Sequence, residues 1–301
     1  MGASRVVSLL PSATEIVYAL GAEDRLVGVT YECDHPADAR RRHAVVVGGA
    51  DTSGLTPAEI DARVRAMAAA GEDLYTLHEG ALRGLDPDLV LTQDLCRVCA
   101  LPSGVVDDAL AHLGCSADVL ALDPASLDDV LRSVVDVAGA LGDVTAGERV
   151  VAGLRARLDD VARAVAGLAR PRVVVVEWVD PPFAAGHWVP DLVTAAGGQE
   201  VLGSPGGRSV TTTWDDVVAA RPDVVLVAPC GYHLDGAVPQ AEAVVRALAE
   251  RGCGAAVWAV DADGLVVRPG PRLVDGVEAF ARVLHPDALG APDPAAARRL
   301  A

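Results

Sequence analysis

The stretches Pro87-Asp-Leu-Val-Leu-Thr-Gln-Asp-Leu-Cys96 and Pro222-Asp-Val-Val-Leu-Val-Ala-Pro-Cys230 share one pattern: a Pro-Asp pair, a short Val/Leu run and a terminal cysteine. Short apolar runs without polar alternation suit strands buried on both faces of a parallel sheet. After each, a helical stretch leads to Gly-Cys (Gly114-Cys115 and Gly252-Cys253) and then to another apolar strand. A unit that recurs in this order points to a duplicated α/β lobe.

Working outward, strand-like runs alternate with helical ones at Arg5 to Leu10, Leu26 to Thr30, Ala44 to Val47, Asp88 to Thr92 and Asp118 to Leu122. From Ser126 to about Ala169 no strand intervenes, and Leu127, Val130, Leu131, Val134, Val137 and Leu141 recur at helical spacing. Glycines at 142, 147, 153 and 167 mark where this helical connector can break. Alternation resumes with Arg172 to Glu177, Glu200 to Leu202, Asp223 to Ala228 and Ala256 to Val260.

The expected fold is therefore α/β: two Rossmann-like lobes with parallel sheets, joined by a long connector helix, with a ligand cleft between the lobes. The expected boundaries are 1–125 for the N-terminal lobe, 126–169 for the connector and 170–301 for the C-terminal lobe. Ligands of open parallel sheets sit at the carboxyl ends of the strands, so Cys96 and Cys230 should face the cleft.

Composition narrows the function. The 301 residues exceed one average domain, and 51% are hydrophobic while only 3% are aromatic, so Val, Leu and Ala must build the interior. Lys and Asn are absent, and Ile and Phe occur twice each, the mark of a GC-rich genome. Without lysine there is no Schiff-base residue and no Walker-loop lysine. A net charge of −17 repels phosphate backbones, which disfavours nucleic acid and anionic membranes as partners.

Pro11, Ser12, Thr14 and Glu15 interrupt the opening apolar run, so it reads as strand, turn and helix start, not as a signal peptide. No run has the length of a membrane span, and no membrane insertion is expected. The chain as written is expected to be cytoplasmic, or extracytoplasmic if its true start lies upstream.

Arg5-Val-Val-Ser-Leu-Leu-Pro-Ser-Ala-Thr-Glu15, Leu26-Val-Gly-Val-Thr30 running into Asp34-His-Pro36, Asp180-Pro-Pro-Phe-Ala-Ala-Gly186 and Arg268-Pro-Gly-Pro-Arg-Leu273 are spread over nearly the whole chain. In these pieces the sequence resembles the periplasmic-type binding proteins with a helical backbone, the metal-chelate receptors of ABC importers, and among them the cobalamin-binding proteins. The resemblance implies a substrate-binding protein for cobalamin or a related metal chelate (corrinoid, haem or siderophore) and an importer permease as partner. It also implies that ligand loops contain Pro11, Ser12, Tyr31, Trp178, Phe183, Gly186, His187, Trp188 and Arg268.

Each of these residues has a plainer explanation. Pro11 to Thr14 also fits a helix cap, and either tryptophan fits a core. An extra helical segment, about Thr56 to Ala81, departs from the importer pattern.

Cys96-Arg-Val-Cys99 follows the strand ending at Thr92, and Glu32-Cys-Asp-His35 follows the one ending at Thr30. Cys33, Cys96 and Cys99 with His35 could complete a tetrahedral zinc site. The same thiolates could instead hold an iron–sulfur cluster, ligate a corrin cobalt, form a redox pair or be inert buried thiols. Cys230 could approach the same ligand from the second lobe. No nucleophile elbow, phosphate loop or His-Glu-x-x-His helix is present, and Gly203-Ser-Pro-Gly-Gly207 reads as a loop. The alternative function is a cytoplasmic metal- or iron–sulfur-dependent lyase or hydrolase on the same scaffold.

Overall fold

The computed structural model describes residues 2–52, 54–70, 72, 75–78, 81–94, 104–106 and 116–301. The chain forms two compact units, Met1–Pro124 with Leu131–Ala152, and Ala125–Val130 with Gly153–Ala301.

The first unit runs β1 (Val6–Ser8), α1 (Pro11–Ala19), β2 (Leu26–Thr30), α2 (Ala39–Arg42), β3 (Ala44–Gly49), α3 (Pro57–Ala70), β4 (Tyr75–Leu77), α4 (Ala81–Leu85), β5 (Leu89–Thr92) and β6 (Asp118–Ala121). Its sheet has the order β4-β3-β2-β1-β5-β6, parallel except where β4 pairs antiparallel with β3. The strands bury both faces. Val6, Leu89 and Leu91 pack with Ile16, Val17, Val134 and Val137, while Val7 and Val90 pack with Val46, Val47 and Leu82 on the opposite face.

The connector stretch forms α5 (Leu127–Ala140) and α6 (Val144–Val165). The break falls at Gly142, whose φ of +79° ends the first helix at the cost glycine alone avoids. The segment expected from Thr56 to Ala81 divides into α3, β4 and the start of α4.

The second unit continues with β7 (Arg172–Val179), β8 (Pro182–Ala184), α7 (Val189–Ala195), β9 (Gln199–Glu200), β10 (Val210–Thr211), α8 (Trp214–Ala219), β11 (Val224–Val227), α9 (Leu234–Ala249), β12 (Ala256–Val260), α10 (Ala262–Leu265), α11 (Leu273–Leu284) and, after a further short turn of helix, β13 (Ala297–Arg299). Its order is β10-β8-β7-β11-β12-β13, with β9 also on β7. The β7-β11-β12 centre is parallel, and β8, β10 and β13 add antiparallel edges. Val173 to Val176 and Val225 to Val227 are wholly buried. Each such side chain contributes roughly 1.5–3 kcal/mol of burial free energy.

The Pro-Asp echo has a structural cause. The Asp88 carboxylate accepts the amide hydrogens of Ser4 (2.9 Å) and Arg5 (2.9 Å), and Asp223 accepts that of Arg172 (2.7 Å). The Arg5 guanidinium donates to the carbonyls of Leu85 and Asp86 at the end of α4, and Arg172 donates to those of Ala220 and Arg221 just beyond α8. Asp86 (φ 45°) and Arg221 (φ 48°) both take the left-handed turn just before the proline. In each unit an aspartate ties one central strand to its neighbour, and an arginine satisfies the helix-end carbonyls.

Candidate functional site

In the second unit the chemistry collects at the carboxyl ends of β7, β11 and β12. Glu177 and Trp178 lie near the end of β7, and β8 folds back so that Phe183 pairs across the strands with Trp178. The Trp178 indole N–H donates to the Asp180 carbonyl (3.2 Å), and its ring stands 6.0 Å from that of Tyr232, tilted by 48°. Trp178, Phe183 and Tyr232 are all partly exposed. Tyr232 sits in the turn after β11, where Cys230 is exposed and its amide bonds the Glu177 carbonyl (3.0 Å).

The same turn carries His233. Its Nδ1 lies 2.8 Å from Asp261 Oδ1, and Asp261 also accepts from Gly264 N (3.1 Å) as the cap of α10. The carboxylate thereby fixes the imidazole's orientation. Aromatic faces, an imidazole and a thiol on neighbouring strand ends suit a flat, partly polar ligand.

The structure separates the residues of the Asp180-to-Trp188 segment. Gly186 approaches the Gly207–Ser209 backbone so closely that an added Cβ would lie 2.2 Å from Ser209 N. His187 has a left-handed φ of 49°, its Nε2 is buried without a hydrogen-bond partner among the described residues, and burial lowers its proton affinity, with Arg208 adding to the effect. Trp188 is 5% exposed and its indole N–H donates to the Val266 carbonyl (2.8 Å), which places it in the core. Arg268 is buried and paired with Asp263 at 2.6 Å.

In the first unit, Pro11 opens α1 and Ser12 is buried beside it. Tyr31 is exposed. Its hydroxyl donates to the Glu32 carboxylate (3.1 Å), as does that of Tyr75 (3.2 Å), and the two rings lie 6.3 Å apart.

Cys33 is fully buried with Val29 and Ala39, its Sγ 3.1 Å from Thr14 Oγ1, and Thr14 in turn donates to Ser8 Oγ. His35 is exposed. Among the described residues, no cluster of three or more His, Cys, Asp or Glu ligand atoms includes Cys33 or His35. Cys96 and Cys99 lie outside the described residues.

Sequence reasoning passed over Tyr232, Asp261 and Tyr75 as site residues. The first two carried a usable signal, since Tyr232 follows the β11 strand end within Cys230-Gly-Tyr-His233 and Asp261 immediately follows β12. Tyr75 carried none, because β4 was not recognised as a strand.

The family model described as "Periplasmic binding protein" matches residues 6–246, and the chain belongs to that family. A relative named "Cobalamin-binding protein" from Halobacterium salinarum is 26% identical over 293 residues, covering 93% of this chain and 69% of its own length. A "Vitamin B12-binding protein" from Vibrio cholerae is 24% identical over 92% of this chain and 87% of the relative. Among solved structures, a periplasmic heme binding protein from Pseudomonas aeruginosa superposes with a TM-score of 0.69 at 21% identity, covering 99% of this chain and 95% of that one. The fold is thus that of a two-lobed substrate-binding protein. No helix among the described residues is long and apolar enough to cross a membrane.

Proposed function

We propose that this protein is a substrate-binding protein for a flat metal chelate, cobalamin or haem, which it holds at the carboxyl edge of the second unit's sheet and hands to an ABC importer permease. The observation that carries this reading is the partly exposed group of Trp178, Phe183 and Tyr232 at the ends of β7, β8 and β11. In a chain that is 3% aromatic, three such side chains left partly in solvent at one strand-end edge favour a ligand with a large planar face. The names of the relatives in the same family support the choice of chelate.

A resident zinc or iron–sulfur group on Cys33, His35, Cys96 and Cys99 is not needed for this function and draws no support from the buried, Thr14-bonded Cys33. The lyase or hydrolase alternative likewise draws none from the comparisons. Titration of the purified protein with haemin and, separately, with aquocobalamin, followed by absorption, tests the proposal. Saturable one-to-one binding of either is expected. Failure of both to bind overturns it.

A further inference from the structure

Two tyrosines of the first unit converge on one carboxylate. Tyr31 and Glu32 follow β2 directly, and Tyr75 opens β4, where it pairs across the sheet with Gly49 at the end of β3. The Tyr31 hydroxyl lies 3.1 Å from Glu32 Oε1, and that of Tyr75 lies 3.2 Å from both Glu32 oxygens. Two phenol oxygens and both oxygens of a carboxylate thus share one spot at the carboxyl ends of β2 and β3.

The backbone fixes this spot from several sides. Tyr31 N donates to the Val47 carbonyl (3.2 Å), Glu32 N to Thr30 Oγ1 (3.1 Å), and the Arg40 guanidinium to the Tyr31 carbonyl (2.8 Å). Gly49 makes room for the Tyr31 ring. A Cβ added there would lie 2.2 Å from the Tyr31 hydroxyl and 2.4 Å from Cζ, so any other residue would drive the hydroxyl away.

The donor set selects the class of ligand. Oxygen donors without nitrogen or sulfur favour a hard cation over zinc or copper. In an octahedron with bonds of about 2.0–2.1 Å, adjacent oxygens lie about 2.9 Å apart. The 3.1 and 3.2 Å spacings would need to close by only a few tenths of an ångström. A phenol by itself releases its proton only near pH 10 or so, and a metal ligand must be deprotonated. A trivalent ion has the charge to displace that proton, whereas magnesium and calcium are satisfied by carboxylate, carbonyl and water.

We propose that Tyr31, Tyr75 and Glu32 form a binding site for a hard trivalent cation, ferric iron. On binding, iron–oxygen bonds form to both phenols and to the carboxylate, and one proton from each phenol leaves to solvent. No electron is transferred. Two phenolates and one carboxylate then balance the three positive charges of the ion, and water completes its coordination. A porphyrin or corrin leaves its metal only axial positions, one on each face, so three side chains cannot meet that metal from one side. The site therefore takes an iron outside a macrocycle and does not depend on the chelate reading above.

Titration of the full chain with ferric nitrilotriacetate tests the site. A saturable, one-to-one phenolate-to-iron charge-transfer band in the visible is expected, displaced by gallium(III) and not by zinc. Loss of even an outer partner of a metal ligand costs about 10- to 100-fold in affinity, so Tyr31→Phe and Tyr75→Phe are each expected to bind at least about tenfold more weakly. The double variant is expected to show no band, and Tyr18→Phe the full one. Absence of the band in the wild type, its survival in the double variant, or displacement by zinc as readily as by gallium overturns the proposal. Should the variants not fold, NMR of the wild type with gallium(III) decides. Shifts of the Tyr31 and Tyr75 ring resonances, with those of Tyr18 and Tyr232 unmoved, are expected, and unmoved Tyr31 and Tyr75 rings overturn it.

Discussion

The rings of Trp178 and Tyr232 lie 6.0 Å apart at 48°, one at the end of β7 and the other in the turn beyond β11. They form an open angle, not a stack, so each keeps part of a face for a third planar group. Trp178→Ala and Tyr232→Ala are each expected to weaken haem or corrinoid binding by about 2- to 12-fold, from the roughly 0.5–1.5 kcal/mol of an aromatic contact. Absorption titration measures this. If each single change leaves the affinity as it was, the platform is not where the chelate sits.

Trp188 provides the opposite expectation. Its indole is buried and spends its N–H on the Val266 carbonyl, so Trp188→Ala removes both packing and a bond. A loss of about 3–5 kcal/mol in denaturant unfolding is expected. Trp188→Phe should fall between that variant and wild type, leaving Val266 without its donor at roughly 1–3 kcal/mol. A Trp188→Phe protein of full stability but with lost ligand binding would return this tryptophan to the site.

These two tryptophans show what was legible. The strands Leu26–Thr30 and Ala256–Val260 emerge with the bounds their apolar runs predict, because a strand buried on both faces has to be continuously apolar. β4, β8, β10 and β13 were missed. They are two or three residues long, too short for a periodic pattern; β4, β10 and β13 lie at sheet edges, where one neighbour suffices, and β8, between β7 and β10, takes Pro182 at its first position. The strand-end rule found the edge holding Trp178 and Cys230, but no local pattern says whether a loop side chain turns outward or inward. Trp188 turns in because Val266, far along the chain, offers a carbonyl, and Arg268 is buried because Asp263 answers its charge.

Arg268 and Asp263 expose only 9% and 16% of their side chains, so removing one partner strands the other in a poorly solvated place. Arg268→Ala is expected to destabilise the second unit by about 3–5 kcal/mol, and the double change Arg268→Met with Asp263→Leu by clearly less. Thermal unfolding of the three proteins is the measurement. A double variant that loses as much as Arg268→Ala, or more, would mean that the loss does not come from a stranded Asp263 charge.

Cys33 separates the two accounts of the cysteines. As a core thiol it fills a small apolar pocket and bonds Thr14, so Cys33→Ala should cost about 1–2 kcal/mol in urea unfolding. Cys33→Ser keeps a partner for Thr14 but buries a stronger polar group, and should cost a similar amount. As a metal ligand Cys33 would instead take a bound ion with it when replaced. Elemental analysis of anaerobically purified wild type and Cys33→Ala is therefore expected to give the same metal content. Stoichiometric zinc or iron in the wild type that disappears from the variant would restore the thiolate site and require the thiol to leave Thr14, because the 3.1 Å contact occupies the side of the sulfur nearest the α1 hydroxyl.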